Sequence, residues 1–220
     1  MGSTLASMQI GDGTEWTFLG AAWRDWGDGE LGPPDGAEVE YLAVREREAC
    51  ADFEVRFRFR LRNITPVRFL FRLQDSRRFY ALDIPFGGQQ FRSRACWAGM
   101  VVADGSPLQR YLNFGLVPGL CARLGSWYDV RVRATGSRLQ AWIDDIPVAD
   151  VEDDTYSSGR FGWSALQTPY REAPRFSNLH IEADLKDAPD WPGLTVPAPH
   201  WITPCREADP TTYQSYAGLI

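Results

Sequence analysis

The amino-acid sequence predicts an all-β protein, an antiparallel sandwich with a proline-rich C-terminal extension. Three observations carry that prediction. Apolar and polar residues alternate with a period of two in several stretches between residues 16 and 183. Short clusters of Gly, Pro, Asp and Ser separate those stretches. No segment shows a sustained helical period with caps. The length of 220 residues suits one domain plus extensions, and a 44% hydrophobic, 13% aromatic composition excludes a wholly disordered chain.

Residues 1–15 read as a loose leader, and GAAWRDWGDGELGPPDG as a loop-rich entry to the domain over 16–183. In DFEVRFRFRLR, Phe53, Val55, Phe57, Phe59 and Leu61 share one face, and Glu54, Arg56, Arg58, Arg60 and Arg62 share the other. VRFLFRLQD turns Phe69, Phe71 and Leu73 inward and Arg68, Arg72 and Gln74 outward. After a DSR turn, RFYALDI places Tyr80, Leu82 and Ile84 in the core and Phe79 and Asp83 on the open face. WYDVRVRATGSRLQAWIDD reads as a hairpin closed by TGS. Its inward set is Tyr128, Val130, Val132, Leu139, Ala141 and Ile143, and Arg131, Arg133 and Trp142 face away. GRFGWSA and FSNLHIEA add two short strands, and Trp16, Trp127 and Trp163 are assigned to the core.

Five prolines between Pro189 and Pro204 make residues 184–204 an expected extended linker. Residues 205–220 regain apolar character and end on AGLI, either the start of a further domain or a strand that returns to the sandwich.

The net charge of −6 argues against general nucleic-acid binding. No run of eighteen apolar residues offers a membrane-spanning helix. No signal peptide is visible, which makes the cytoplasm the default expectation. Cys50, Cys96, Cys121 and Cys205 form no CxxC pair, and free buried thiols are the expectation. The basic residues are 22 Arg and one Lys. Arginine suits planar carboxylates and sugar rings better than lysine does.

The outward positions supply a candidate glycan-binding surface: Arg68, Arg72, Gln74, Phe79, Asp83 and Trp142, with Trp97 at its rim. Aromatic faces meet sugar C–H groups, while guanidinium and carboxylate groups meet hydroxyls. If all eight outward arginines shared one sheet, acids, solvent, an anionic ligand or a companion domain would have to offset their repulsion.

The run WYDVRVRATGSRLQAWIDDIPVADVEDDTYSSGRFGWSA, followed by FSNLHI, resembles the C-terminal half of concanavalin A-like jelly rolls. It is most similar to laminin-G-like domains and to the bacterial family named for 3-keto-disaccharide hydrolase. The markers are Trp127, Gly136, Asp144, Asp145, Gly159, Gly162, Phe176 and Asn178, with Asp145 standing where the turn usually has Gly. The resemblance implies a jelly roll over about 16–183. It also implies a carbohydrate-binding or accessory domain of a larger glycan-processing protein.

No catalytic residue is nominated. Glu182, Asp184 and Asp187 only approximate the acidic strand of glycosidases on this fold, His180 has no Gly-x-Ser-x-Gly elbow to serve, and Gly87-Gly88 is a turn rather than a phosphate loop. The acidic loop Glu152-Asp153-Asp154 is the place where the resemblance would allow a structural calcium ion; no other cofactor is expected. The enzymatic alternative is a glycoside hydrolase or lyase acting on keto sugars. The third alternative is a structural module whose Arg-rich face packs on a companion domain.

Overall fold

The computed structural model describes residues 5–7, 16–19, 23–35, 40–61, 67–84, 95–106, 109–121, 123–166 and 172–188. Arg62, Gly87-Gly88, His200, Cys205, residues 189–204 of the expected linker and the whole 205–220 tail lie outside them. Among the described residues there are seventeen strands, numbered here in chain order, and no helix.

Two large antiparallel sheets face each other. The first joins, in spatial order, β14 (Ile146–Glu152), β13 (Arg138–Ile143), β12 (Trp127–Thr135), β7 (Phe53–Arg60), β16 (Arg175–Ala183), β4 (Leu31–Gly32) and β3 (Arg24–Asp25), with β1 (Leu5–Ser7) also paired to β16. The second joins β11 (Arg110–Pro118), β10 (Ala95–Asp104), β9 (Arg78–Ile84), β8 (Val67–Asp75), β15 (Arg160–Leu166), β5 (Glu40–Arg45) and β2 (Trp16–Leu19). A short ribbon pairs β6 (Glu48–Ala49) with β17 (Lys186–Asp187). Strand β1 therefore falls within the stretch expected as a loose leader, and β17 within the expected linker.

The eight-stranded sheet is built as the alternation predicts. In β7, Phe53, Val55, Phe57 and Phe59 are buried while Glu54, Arg56, Arg58 and Arg60 are not. The buried row meets Phe69, Phe71 and Trp163 of the opposing sheet: Phe57 lies 5.2 Å from Phe69 and 5.5 Å from Trp163, and Phe53 lies 5.6 Å from Phe71. Burying each such ring contributes roughly 1.5–3 kcal/mol, and each aromatic pair about 0.5–1.5 kcal/mol more. Trp16 and Trp163 are in this core as expected. Trp127 is not: Tyr128 takes the inward position, and Trp127 lies outside under the guanidiniums of Arg58 and Arg60.

The seven-stranded sheet departs from the expectation of one buried and one wet face. Phe69, Phe71, Tyr80, Leu82, Met100 and Trp163 fill the core between the sheets. The alternate residues Leu42, Val44, Leu70, Phe79, Ala81, Val101 and Ala103 form a second buried apolar cluster on the outer face. Phe79, expected on an open face, is 1% exposed, and Arg68, Arg72 and Asp83 are buried too. A sheet covered on both faces carries continuous apolar runs rather than alternation.

The glycine markers have a steric cause. A Cβ at Gly162 would lie 2.3 Å from the Ala43 carbonyl oxygen, and one at Gly159 would lie 2.5 Å from the Arg72 backbone. Both strands can approach only if these positions carry no side chain.

Candidate functional site

The outer face of the eight-stranded sheet holds a pocket of about 210 Å³. Three neighbouring strands build it. Arg56 on β7 lies directly opposite Arg131 on β12, and Arg131 lies directly opposite Trp142 on β13. One step along, Arg58 faces Asp129. The period-two pleat sends all of these side chains outward together. Asp145 closes one side from the β13–β14 turn, and Asn178 closes another from β16. Asn178 reaches the pocket because β16 bulges against β7 between Ser177 and His180, with Asn178 itself at φ 53°. The Ser177 hydroxyl donates to Asn178 Oδ1 at 3.1 Å, which leaves the amide nitrogen as a donor.

The charges in this pocket are unevenly matched. Arg56 Nη2 donates to Glu54 Oε1 at 2.5 Å, and this hydrogen bond raises the guanidinium pKa above its ordinary value. Arg58 pairs with Asp129 at 3.1 Å. Arg131 has a different neighbour: its guanidinium carbon sits 4.0 Å from the centre of the Trp142 ring. The Nε atom of Arg131 is buried and has no hydrogen-bond partner, whereas that of Arg58 is the atom that meets Asp129, as an ion pair without hydrogen-bond geometry.

Of the seven residues expected to form the site, Trp142 is in this pocket. The other six belong to the seven-stranded sheet, on the far side of the core. Arg68 and Asp83 lie opposite each other on β8 and β9, and Arg68 Nη2 meets Asp83 Oδ2 at 2.9 Å. They share the outer face with Phe79 and with half-buried Trp97, which stacks on Phe114 at 5.7 Å. The expected open, solvated setting of Arg68, Phe79 and Asp83 is replaced by burial.

Arg72 and Gln74 have structural partners. At a bulge in β8, Arg72 takes φ 46° and turns its guanidinium onto the carbonyls of Ala51, Gly136 and Tyr156. Burial pushes its pKa below the ordinary value. Gln74 donates to the carbonyls of Arg72 and Ser158. The seven outward arginines among the described residues therefore do not share a sheet: Arg56, Arg58, Arg60, Arg131 and Arg133 lie on one, and Arg68 and Arg72 on the other.

Arg56, Arg58 and Arg131 stand at outward positions of the sequence pattern without being among the nominated site residues, and Asp129, Asn178 and Asp145 are not nominated as binding groups either. The signal for Arg131 was the TGS turn, which fixes its register against Trp142. The signal for Asn178 was a residue tolerant of positive φ in the middle of a strand.

Among the described residues, no three His, Cys, Asp or Glu side chains gather as a metal ion would require. The acidic loop is organised otherwise. Asp153 accepts from Tyr80 Oη at 2.5 Å and from Arg110 at 2.7 Å, and also from the Thr155 backbone N–H. Burial alone would raise the Asp153 pKa, but the hydrogen bonds from Thr155, Tyr80 and Arg110 hold it well below the usual carboxylate range. Burial also pushes the Cys50 thiol up to about 12, so it stays protonated and unreactive at neutral pH.

Two antiparallel sheets enclosing a Phe-rich core, with pocket-lining residues on an outer face, are those of a concanavalin A-like jelly roll. Solved structures of the same fold include the carbohydrate-binding module CBM66 from Bacillus subtilis, at 18% identity over 78% of this chain and 98% of that one, with a TM-score of 0.57. The exoplasmic/lumenal domain of VIP36, solved with Ca²⁺ and Man3GlcNAc, is 12% identical over 81% of this chain and 86% of that one, with a TM-score of 0.58. The metal-free carbohydrate recognition domain of Emp46p is 13% identical over 80% and 92%, with a TM-score of 0.60. No curated protein matches the sequence. The profile of the 3-keto-alpha-glucoside-1,2-lyase-like domain matches residues 10–182, and the chain belongs to that family.

Proposed function

We propose that the chain is a non-catalytic carbohydrate-binding domain, an accessory to a larger glycan-processing protein, and that the Trp142 pocket is its ligand site. One observation carries the reading. Three strands aim guanidiniums, a carboxylate and an indole into one open pocket. Such a mix suits a sugar ring, which presents hydroxyls at its edge and C–H groups on its face. The pocket is smaller than the roughly 300 Å³ and above of sites for drug-sized ligands, as expected of one ring lying on a sheet. The glycan-related names of the family and of the fold neighbours support the reading. Retention on polysaccharide affinity gels tests it. Wild type is expected to be retarded on at least one gel, and Trp142→Ala to run freely with an unchanged melting temperature. Equal retention of the two proteins would remove Trp142 from the site.

A second reading, catalysis on a keto sugar, is favoured by the lyase that gives the family its name. Elimination next to a ketone needs a base at the adjacent carbon. Asp83, whose Oδ1 is buried without a hydrogen-bond partner, is the carboxylate this reading would use. Product release from a 3-keto-glucoside by wild type, lost in a folded Asp83→Asn variant, would establish it in place of the first.

A further inference from the structure

We propose that the Trp142 pocket recognises the carboxylate of an acidic sugar, with Arg131 taking its charge. The inference rests on the glycan-binding reading and adds the ligand's chemistry.

The pocket's three guanidiniums, Arg56, Arg58 and Arg131, lie among three carboxylates, Asp129 and Asp145 in its lining and Glu54 beside Arg56, in a chain whose net charge is −6. Arg56 and Arg58 each have a carboxylate partner, Glu54 and Asp129. Arg131 has none within ion-pair distance among the described residues. Its register places it directly against Arg56, an arrangement that is destabilising unless an anion joins it. The Arg131 guanidinium carbon lies 4.0 Å from the centre of the Trp142 ring, a cation–π contact that uses none of its N–H groups. The N–H edge remains for a planar, two-oxygen acceptor, which is the geometry in which arginine binds a carboxylate. The Asn178 amide adds a neutral donor on the opposite wall.

Arg131 is the one guanidinium of the three without an ion-pair partner among the described residues, and a single fork suits a monoanion. A phosphate dianion would bring a second charge up to Asp129 and Asp145 with nothing left to meet it. A carboxyl-bearing sugar, a uronate, fits these terms.

The test is calorimetry on the full 220-residue chain with oligosaccharides of alginate, pectate and hyaluronate, each beside its carboxyl-reduced neutral counterpart. The expected result is that at least one uronate binds about tenfold or more tightly than its neutral counterpart, the worth of one hydrogen-bonded charge. Arg131→Gln should bring the two to the same affinity. Arg131→Lys should restore part of the gap, because it keeps the charge without the fork. Raising salt should weaken the uronate alone. Equal binding of the acid and neutral forms by wild type would overturn the carboxylate inference and leave the glycan reading standing. A preference that survives Arg131→Gln would also overturn it. No binding of either form would remove both. Tighter binding of inorganic phosphate than of acetate would overturn the monoanion argument.

Discussion

Arg68 and Asp83 lie opposite each other on adjacent strands, joined at 2.9 Å, with side chains only 1% and 3% exposed. Their neighbours on that face, Leu70, Phe79 and Ala81, are apolar. A buried ion pair is held in place by its partner, and removing one member leaves a buried charge unmatched. Asp83→Ala is therefore expected to lower stability by about 3–5 kcal/mol. The double variant Arg68→Leu/Asp83→Leu is expected to recover most of that loss. Urea titration of the three proteins checks it, and a loss below 1 kcal/mol in the single variant would show that the charges are hydrated.

Arg72 works by geometry rather than by charge. Its one guanidinium serves three carbonyls from three separate segments, Ala51, Gly136 and Tyr156. Arg72→Ala leaves these acceptors without their donor, and a cost of about 3 kcal/mol or more is expected. Arg72→Lys should recover little, since a point charge does not reproduce a rigid fork with five donors. Lysine restoring the full melting temperature would show that charge alone was needed.

The Tyr80–Asp153 hydrogen bond links stability to pH at both ends. Asp153 is held below the usual carboxylate range. The stability it contributes is therefore complete above its unfolded value near 4 and is lost as pH falls from there toward its folded value. Tyr80 is pushed up to about 12 by burial and by its bond to Asp153. Its contribution is complete below about pH 10 and is lost between about 10 and 12. Tyr80→Phe should remove the alkaline limb of the unfolding free energy against pH and make the acid limb shallower only in part, because Thr155 and Arg110 still hold Asp153. A variant whose limbs run parallel to wild type would exclude this bond as their source.

The legible part of the fold was the sheet with one wet face. Phe53 to Phe59 against Glu54 to Arg60 is a pattern that only a half-buried strand needs, and β7 follows it residue by residue. The seven-stranded sheet was harder to read because both of its faces are covered. CWAGMVVAD, the body of β10, carries apolar residues at both phases, and no alternation separates it from a buried helix segment. Arg68 and Asp83 stood in the outward phase correctly, but phase does not report what lies over a face. Bulges caused two further departures. The one in β8 turns Arg72 away from Arg68, and the one in β16 brings Asn178 to the pocket; each depends on a single residue's φ, which spacing does not encode.

The β13–β14 turn stores strain that substitution should release. Asp144 and Asp145 take φ 50° and 59°, so both sit in the left-handed region. Asp144 is anchored there: its Oδ1 accepts the Asp129 backbone N–H at 2.9 Å and its Oδ2 meets Arg123 at 2.7 Å. Asp145 is exposed and has no hydrogen bond of its own among the described residues to offset the backbone cost. Glycine adopts this conformation without a Cβ penalty. Asp145→Gly is therefore expected to raise stability by about 0.5–1 kcal/mol, the steric relief being reduced by glycine's larger unfolded-state entropy. It also removes one of the two carboxylates in the pocket's lining, so uronate binding should strengthen in the same variant. Asp144→Gly should do the reverse and destabilise, because it cuts both anchors. Melting temperatures of the two variants decide it, and a lower value for Asp145→Gly would mean that the carboxylate's attraction to Arg56 outweighs the strain.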